Sequence, residues 1–177
     1  MGAEFRYLES TYSGELRGNF MPSDKLRSMD RWGLSVAHRG VIDTAWVGRA
    51  NLSLSLNRVS DDNYWKDFTR SSSTLTQRLL PNDVNLFWGR GDVALGLRTL
   101  KWQTLQDLAN VNNRITPPFD RLPQLTARLQ RFNVGGFDFS VDGDFTRFSS
   151  VRTEDCANVY TSGLTTYNNC APNADRA

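Results

Sequence analysis

The chain has 177 residues, of which 39% are hydrophobic and 23% charged, and its formal net charge is +2. That length permits one ordinary domain with a sizeable core, and the mix is neither that of a disordered chain nor that of a helical membrane protein. No run of about eighteen apolar residues is present, which excludes a transmembrane helix, and the scattered, acid-matched Lys and Arg give no argument for nucleic acid.

Residues 1–8 lack a basic stretch followed by an apolar one, so no signal peptide is visible; the protein is cytoplasmic or its true N-terminus lies upstream. Residues 4–8 (EFRYL) read as the end of a strand with Phe5 and Tyr7 on one side. A short turn leads to 15–21 (ELRGNFM), where Leu16 and Phe20 oppose Glu15, Arg17 and Asn19. After a loop at 22–31, Trp32, Leu34 and Val36 alternate with Gly33, Ser35 and Ala37. The connection 40–48 is short, and it enters the strictest alternation of the chain: Leu52, Leu54 and Leu56 against Asn51, Ser53, Ser55 and Asn57. That strand runs into a large polar, aromatic-bearing loop, SDDNYWKDF at 60–68.

The stretch 74–88 is extended, but its period slips across Pro81, where the missing N–H predicts a bulge. A GRGD turn at 89–92 joins it to Val93, Leu95 and Leu97, opposite Ala94, Gly96 and Arg98. A long loop rich in Asn and Pro follows at 108–123. Leu125, Ala127 and Leu129 then oppose Thr126, Arg128 and Gln130, and NVGG at 133–136 turns the chain back. The last clear strand sets Phe137, Phe139, Val141 and Phe145 against Asp138, Ser140, Asp142 and Asp144; beyond residue 149 no strand period is convincing.

The result is about eight strands in an antiparallel meander with no good helix, an all-β chain. Short turns alternate with long loops, so the long loops gather at one end of the sheet, as in an outer-membrane barrel. A soluble half-buried sheet alternates too. The polar face separates the two: Arg17, Arg98, Arg128, Asp138, Asp142 and Asp144 sit well inside strands, where a water-filled lumen tolerates charge and a sandwich interior does not. Aromatics near strand ends (Trp32, Trp46, Tyr64, Trp65, Phe87, Trp88, Trp102, Phe148) fit the two interfacial girdles of a barrel. A small porin-like barrel channel and a soluble all-β binding domain stay open as alternatives.

Catalytic chemistry is sparse. The one histidine, His38, lies near a strand end, and no Ser/His/Asp set assembles without it. Asp138, Asp142 and Asp144 lie along one strand face, which fits a charged lumen wall better than an opposed glycosidase pair. Asp61, Asp62 and Asp67 do not have the spacing of a twelve-residue calcium loop. No metal or cofactor is called for. Cys156 and Cys170 are candidates for a disulfide closing a loop of about 15 residues, for which chain entropy suggests roughly 3 kcal/mol; two free thiols are the alternative.

Five stretches carry a resemblance: EFRYL (4–8), MPSDKL (21–26), RVSDDNYWKDF (58–68), QTLQD (103–107) and ITPPFDRLPQL (115–125). In this order and spacing they resemble the barrel of the lipopolysaccharide-assembly outer-membrane proteins, the LptD family, over residues 4–150. The resemblance implies an open piece of the N-terminal half of a much larger transmembrane barrel in the outer membrane of a Gram-negative bacterium, with 1–150 as barrel wall and 151–177 as an irregular tail or extracellular loop. It implies a part in a non-enzymatic translocon that places lipopolysaccharide in the outer leaflet. The implied partners are lipopolysaccharide, outer-membrane lipid, a plug lipoprotein inside the lumen, and a periplasmic bridge reached through a jellyroll domain absent from this sequence. Arg17, Arg98 and Arg128 then become candidates for contacts to anionic substrate or plug, with internal pairing to Asp138, Asp142 and Asp144 of equal weight. Cys156, Cys170 and the surrounding tail do not match the family pattern.

Overall fold

A computed structural model describes residues 1–45, 48–68, 77–106, 113, 115–149, 159–161 and 164–166. Eight strands follow the chain: β1 (Gly2–Leu8), β2 (Tyr12–Asp24), β3 (Met29–Thr44), β4 (Gly48–Val59), β5 (Leu79–Arg90), β6 (Val93–Thr104), β7 (Asp120–Val134) and β8 (Phe137–Ser149). Each pairs antiparallel with the next, in the order β1 to β8. β1 is not paired with β8, so the sheet is open and the small closed barrel is not formed. From β2 on, the strands run 12 to 16 residues, well beyond the roughly 5–6 of ordinary soluble sheets and enough to cross a bilayer at a tilt.

Register turns the alternation of single strands into two continuous faces. Leu52, Leu86, Leu97, Leu125 and Phe145 form one unbroken row across β4 to β8. Phe5, Leu16, Val36 and Leu56 form another across β1 to β4. This apolar face is open: Phe5 is 61% exposed, Leu125 46% and Phe145 62%. Soluble monomers rarely leave so large an apolar patch uncovered. A second sheet packed on it would have marked a soluble sandwich. The only further strands among the described residues, β9 (Val159–Thr161) and β10 (Leu164–Thr166), pair with each other alone.

Five features differ from the sequence reading. The loop at 22–31 shrinks to a turn at 25–28, because Asp24 closes it: its carbonyl accepts the N–H of Ser28 at 2.7 Å and its carboxylate that of Leu26 at 2.9 Å. The 40–48 connection is likewise mostly strand, with Thr44 paired to Gly48, whose φ of +81° suits glycine. Pro81 produces no bulge; β5 keeps register with β6 from Leu79 to Arg90. Its carbonyl faces β4, so the missing donor is lost from that seam, where ladder pairing stops at Ser55 and Asp83. Side-chain amides take over there. Asn82 accepts the Asn57 N–H at 3.0 Å, and Gln103 accepts from the Val59 N–H at 3.1 Å and donates to its carbonyl at 2.9 Å. Finally, one helical turn, α1 (Tyr64–Asp67), sits in the loop after β4, and the β9–β10 hairpin lies in the stretch that had shown no period.

Tight burial is confined to the long-loop end. Val59, Tyr64, Leu80 and Leu105 are at most 2% exposed and form one cluster, with Trp65 and Phe68 against it. The aromatic girdle is therefore mixed. Trp32 lies on the apolar face, but Tyr64 belongs to this cluster and Phe87 pairs with Asn51 and Gly96 on the polar face. Trp46 lies outside the described residues.

Candidate functional site

The polar face is a lattice of short-range partners set by register. Arg17 stands between Glu4 and Ser35 and forms ion pairs with Glu4 at 3.3 Å and with Glu15. Arg98 grips Asp83 with two nitrogens, at 2.9 and 2.6 Å, the fork geometry that suits a guanidinium and a carboxylate. Arg128 faces Asp142 directly across β7 and β8 and bonds it at 2.5 Å. Asp144 accepts from Gln124 at 2.8 Å and Thr146 at 2.6 Å. Asp138 has a different job: it accepts the Asn133 N–H at 2.8 Å and steadies the β7–β8 turn, where Asn133 has a φ of 55°. The three arginines and three aspartates thus share one face, and each has an intramolecular partner. Cys156 and Cys170 lie outside the described residues.

Sequence reasoning did not single out the most buried charge. Arg31, at the start of β3, is 1% exposed. It donates to Asp61 at 2.8 and 2.9 Å, to Asp24 at 2.9 Å and to Asp67 at 2.8 Å. Its guanidinium carbon also lies 4.6 Å from the Phe68 ring centroid and 5.7 Å from that of Tyr64, and those rings stack at 4.4 Å. Arg27 adds a second bond to Asp67 at 3.1 Å. The arginine ties the loop after β4 to the β2–β3 hairpin. Burial opposes ionisation of Asp67, but hydrogen bonds from Arg27 and Arg31 outweigh it and hold its carboxyl below the ordinary value of 3.8. Asp61 and Asp67, weighed above for calcium, are turned onto this cation instead. Among the described residues no group of three or more His, Cys, Asp or Glu side chains is placed to hold a metal. The available signal was the density of acids in SDDNYWKDF, which needed a cation from elsewhere.

His38 is also accounted for. Its Nδ1 shares a 2.6 Å hydrogen bond with the Tyr7 hydroxyl, whose ring lies over Gly14 on the apolar face.

A charged polar wall, backed by an exposed apolar face, is the architecture of a barrel lining. The family profile described as "LPS transport system D", LptD, matches residues 29–168. The chain belongs to the LptD family. Similar relatives are the LPS-assembly protein LptD of Albidiferax ferrireducens, 54% identical over 159 residues, and that of Paracidovorax citrulli, 58% identical over 154. The protein of the same name from Ralstonia nicotianae is 37% identical over 154 residues. The matches cover 86%, 84% and 87% of this chain but 20%, 18% and 18% of those relatives, so the chain spans about a fifth of their length. LptD membership places the chain in the outer membrane and among transport and structural proteins instead of enzymes. No helix among the described residues is long and apolar enough to cross a membrane, which says nothing of crossing by strands.

Proposed function

We propose that this chain is a stretch of barrel wall in the outer-membrane translocon that assembles lipopolysaccharide into the outer leaflet. The observation that carries the reading is the register-aligned division of β1–β8 into an exposed apolar face and a charged polar face, in a chain of the LptD family. Residues 1–150 form the wall and 151–177 an external loop or tail. The apolar face meets outer-membrane lipid and the polar face lines the lumen, which holds a plug lipoprotein and receives lipopolysaccharide from a periplasmic bridge through a jellyroll domain. On that face Arg17, Arg98, Arg128, Asp138, Asp142 and Asp144 bring substrate or plug against a surface where these three arginines are already ion-paired and these three carboxylates already hydrogen-bonded. The long-loop end, with the Arg31 cluster, faces the cell exterior.

The test uses two adjacent residues of β7 in a full-length family member carrying this segment. Leu125 belongs to the apolar row and Thr126 to the polar one. A lysine in the lipid-facing position costs about 2–4 kcal/mol near the bilayer midplane, whereas a lumen position tolerates it. Leu125→Lys is expected to lower folded barrel and surface lipopolysaccharide, and Thr126→Lys to leave both near the parent level. The reverse order would overturn the orientation.

A further inference from the structure

The arginines of the polar face are not all alike. Arg6, Arg17, Arg31, Arg98 and Arg128 each meet at least one carboxylate. Arg39, on β3 and exposed, forms no hydrogen bond or ion pair among the described residues. Its place is fixed by register: Ser13, Arg39, Ser53, Asn85 and Arg98 form one row across β2 to β6. Arg98, the other cation of this row, is already held by Asp83. Arg39 is left with hydroxyls and a carboxamide as its same-row neighbours.

A second feature stands beside it. Phe87 is 48% exposed although it belongs to the polar face, where its strand neighbours are Asn51 and Gly96. Val41 continues its row on β3, so this part of the polar face carries apolar surface. Arg39, Ser13, Ser53, Asn51, Asn85 and Phe87 line one recess of about 440 Å³ toward the short-turn end. Glu9 lies on its rim and forms no ion pair with Arg39.

We propose that this recess is a binding station for an anionic sugar: Arg39 takes a phosphate or carboxylate by two-point hydrogen bonding, Asn51 and Asn85 take hydroxyls, and Phe87 takes the apolar face of a ring. Each group matches its partner chemically. A guanidinium with no acceptor among the described residues can fork onto an oxyanion, and a mixed wall of amide, hydroxyl and aromatic groups is what a saccharide requires. The paired Arg17, Arg98 and Arg128 lack that freedom, since binding would first have to break an existing pair. The proposal rests on the lipopolysaccharide reading above and names the wall position at which the glycolipid is held.

The experiment places a photo-crosslinking p-benzoylphenylalanine at Ser53, beside Arg39, or at Gln130, on the polar face of β7, in a full-length family member expressed with its plug partner. Adducts are identified with antibody to lipopolysaccharide and to the plug. Illumination at Ser53 is expected to give a lipopolysaccharide adduct that falls about tenfold or more with Arg39→Gln, the size of losing a charge-assisted contact. Arg39→Lys should restore part of it, and Phe87→Ala should reduce it. Heat-modifiable migration equal to the parent's shows that the variants fold. An adduct unchanged by Arg39→Gln overturns the proposal, and so does a Ser53 adduct with the plug in place of saccharide. An adduct at Gln130 but none at Ser53 overturns the station and leaves the translocon reading standing. Absence of lipopolysaccharide at both positions counts against both.

Discussion

The two ends of this sheet solve different problems with similar residues. At the long-loop end, Arg31 is 1% exposed and surrounded by Asp24, Asp61 and Asp67, with the Val59, Tyr64, Leu80 and Leu105 cluster nearby. Along the wall, Arg128 and Asp142 make an equally direct contact with side chains 63% and 57% exposed. In the loop the ion pairs are removed from water, so breaking one leaves charge uncompensated; on the wall, water takes the place of a lost partner. The loop end therefore behaves like a small soluble core and the wall like a hydrated surface. An outer-membrane wall relies on its continuous ladder and on lipid for support, while its loops must hold their own shape.

The sharpest way to break that comparison is Arg31→Met in a full-length family member. Three carboxylates then share a closed site with Arg27 alone, and removing one partner of a buried pair typically costs about 3–5 kcal/mol. The segment 60–68 should become readily cleaved by protease added to intact cells, while the barrel stays folded. Cleavage at the parent's rate would show that the arginine does not hold the loop. Leu80→Ala comes next. A buried Leu-to-Ala change costs about 2–5 kcal/mol through the cavity it leaves, and Leu80 has no exposed surface. Leu97→Ala, on the open apolar face at 40% exposure, should cost less because lipid fills the space. Denaturant midpoints of the two variants in the same detergent give the comparison, and equal losses would contradict the division into core and wall.

The faces were legible in the sequence because alternation is local. Leu52, Leu54 and Leu56 announce their side of β4 without knowledge of any other strand, and the faces read that way for β1–β4 and β6–β8 agree with the register. Strand ends were less legible. The 22–31 segment looked like a loop by composition, and only the Asp24 hydrogen bonds show that it is a hairpin tip. The Arg31 cluster was hidden for a plainer reason: its partners lie 7, 30 and 36 residues away in sequence. No periodicity reports a contact that exists only once β2, β3 and the loop after β4 are brought together. Arg39 shows the converse, since its lack of a partner among the described residues stands out only once Arg6, Arg17, Arg31, Arg98 and Arg128 on the same face are seen to meet carboxylates.

Acid offers a milder test of the loop end. Because its folded value is lowered, Asp67 contributes stability that is fully present above its unfolded value, near 3.8, and is lost as pH falls through the lower folded value. Protease sensitivity of 60–68 should therefore be flat from neutrality down to about pH 5 and rise below about pH 4. Asp67→Asn should remove part of that acid-dependent step, since Asp24 bonds the same guanidinium, and a variant that kept the full step would show that Asp67 does not contribute to it.

The smallest effect belongs to the wall. Arg128→Gln removes the directly opposed partner of Asp142, yet both side chains are more than half exposed, and solvent replaces the contact. No measurable change is expected in the thermal midpoint of the barrel or in surface lipopolysaccharide. If Arg128→Gln lowered lipopolysaccharide while leaving the midpoint unchanged, the pairing with Asp142 would not be the residue's main role. The wall would then bind substrate through arginines that are already paired, and the distinction drawn between Arg39 and its paired neighbours would collapse. Measuring Arg39→Gln and Arg128→Gln side by side decides whether freedom from an internal carboxylate is what marks a binding position on this face.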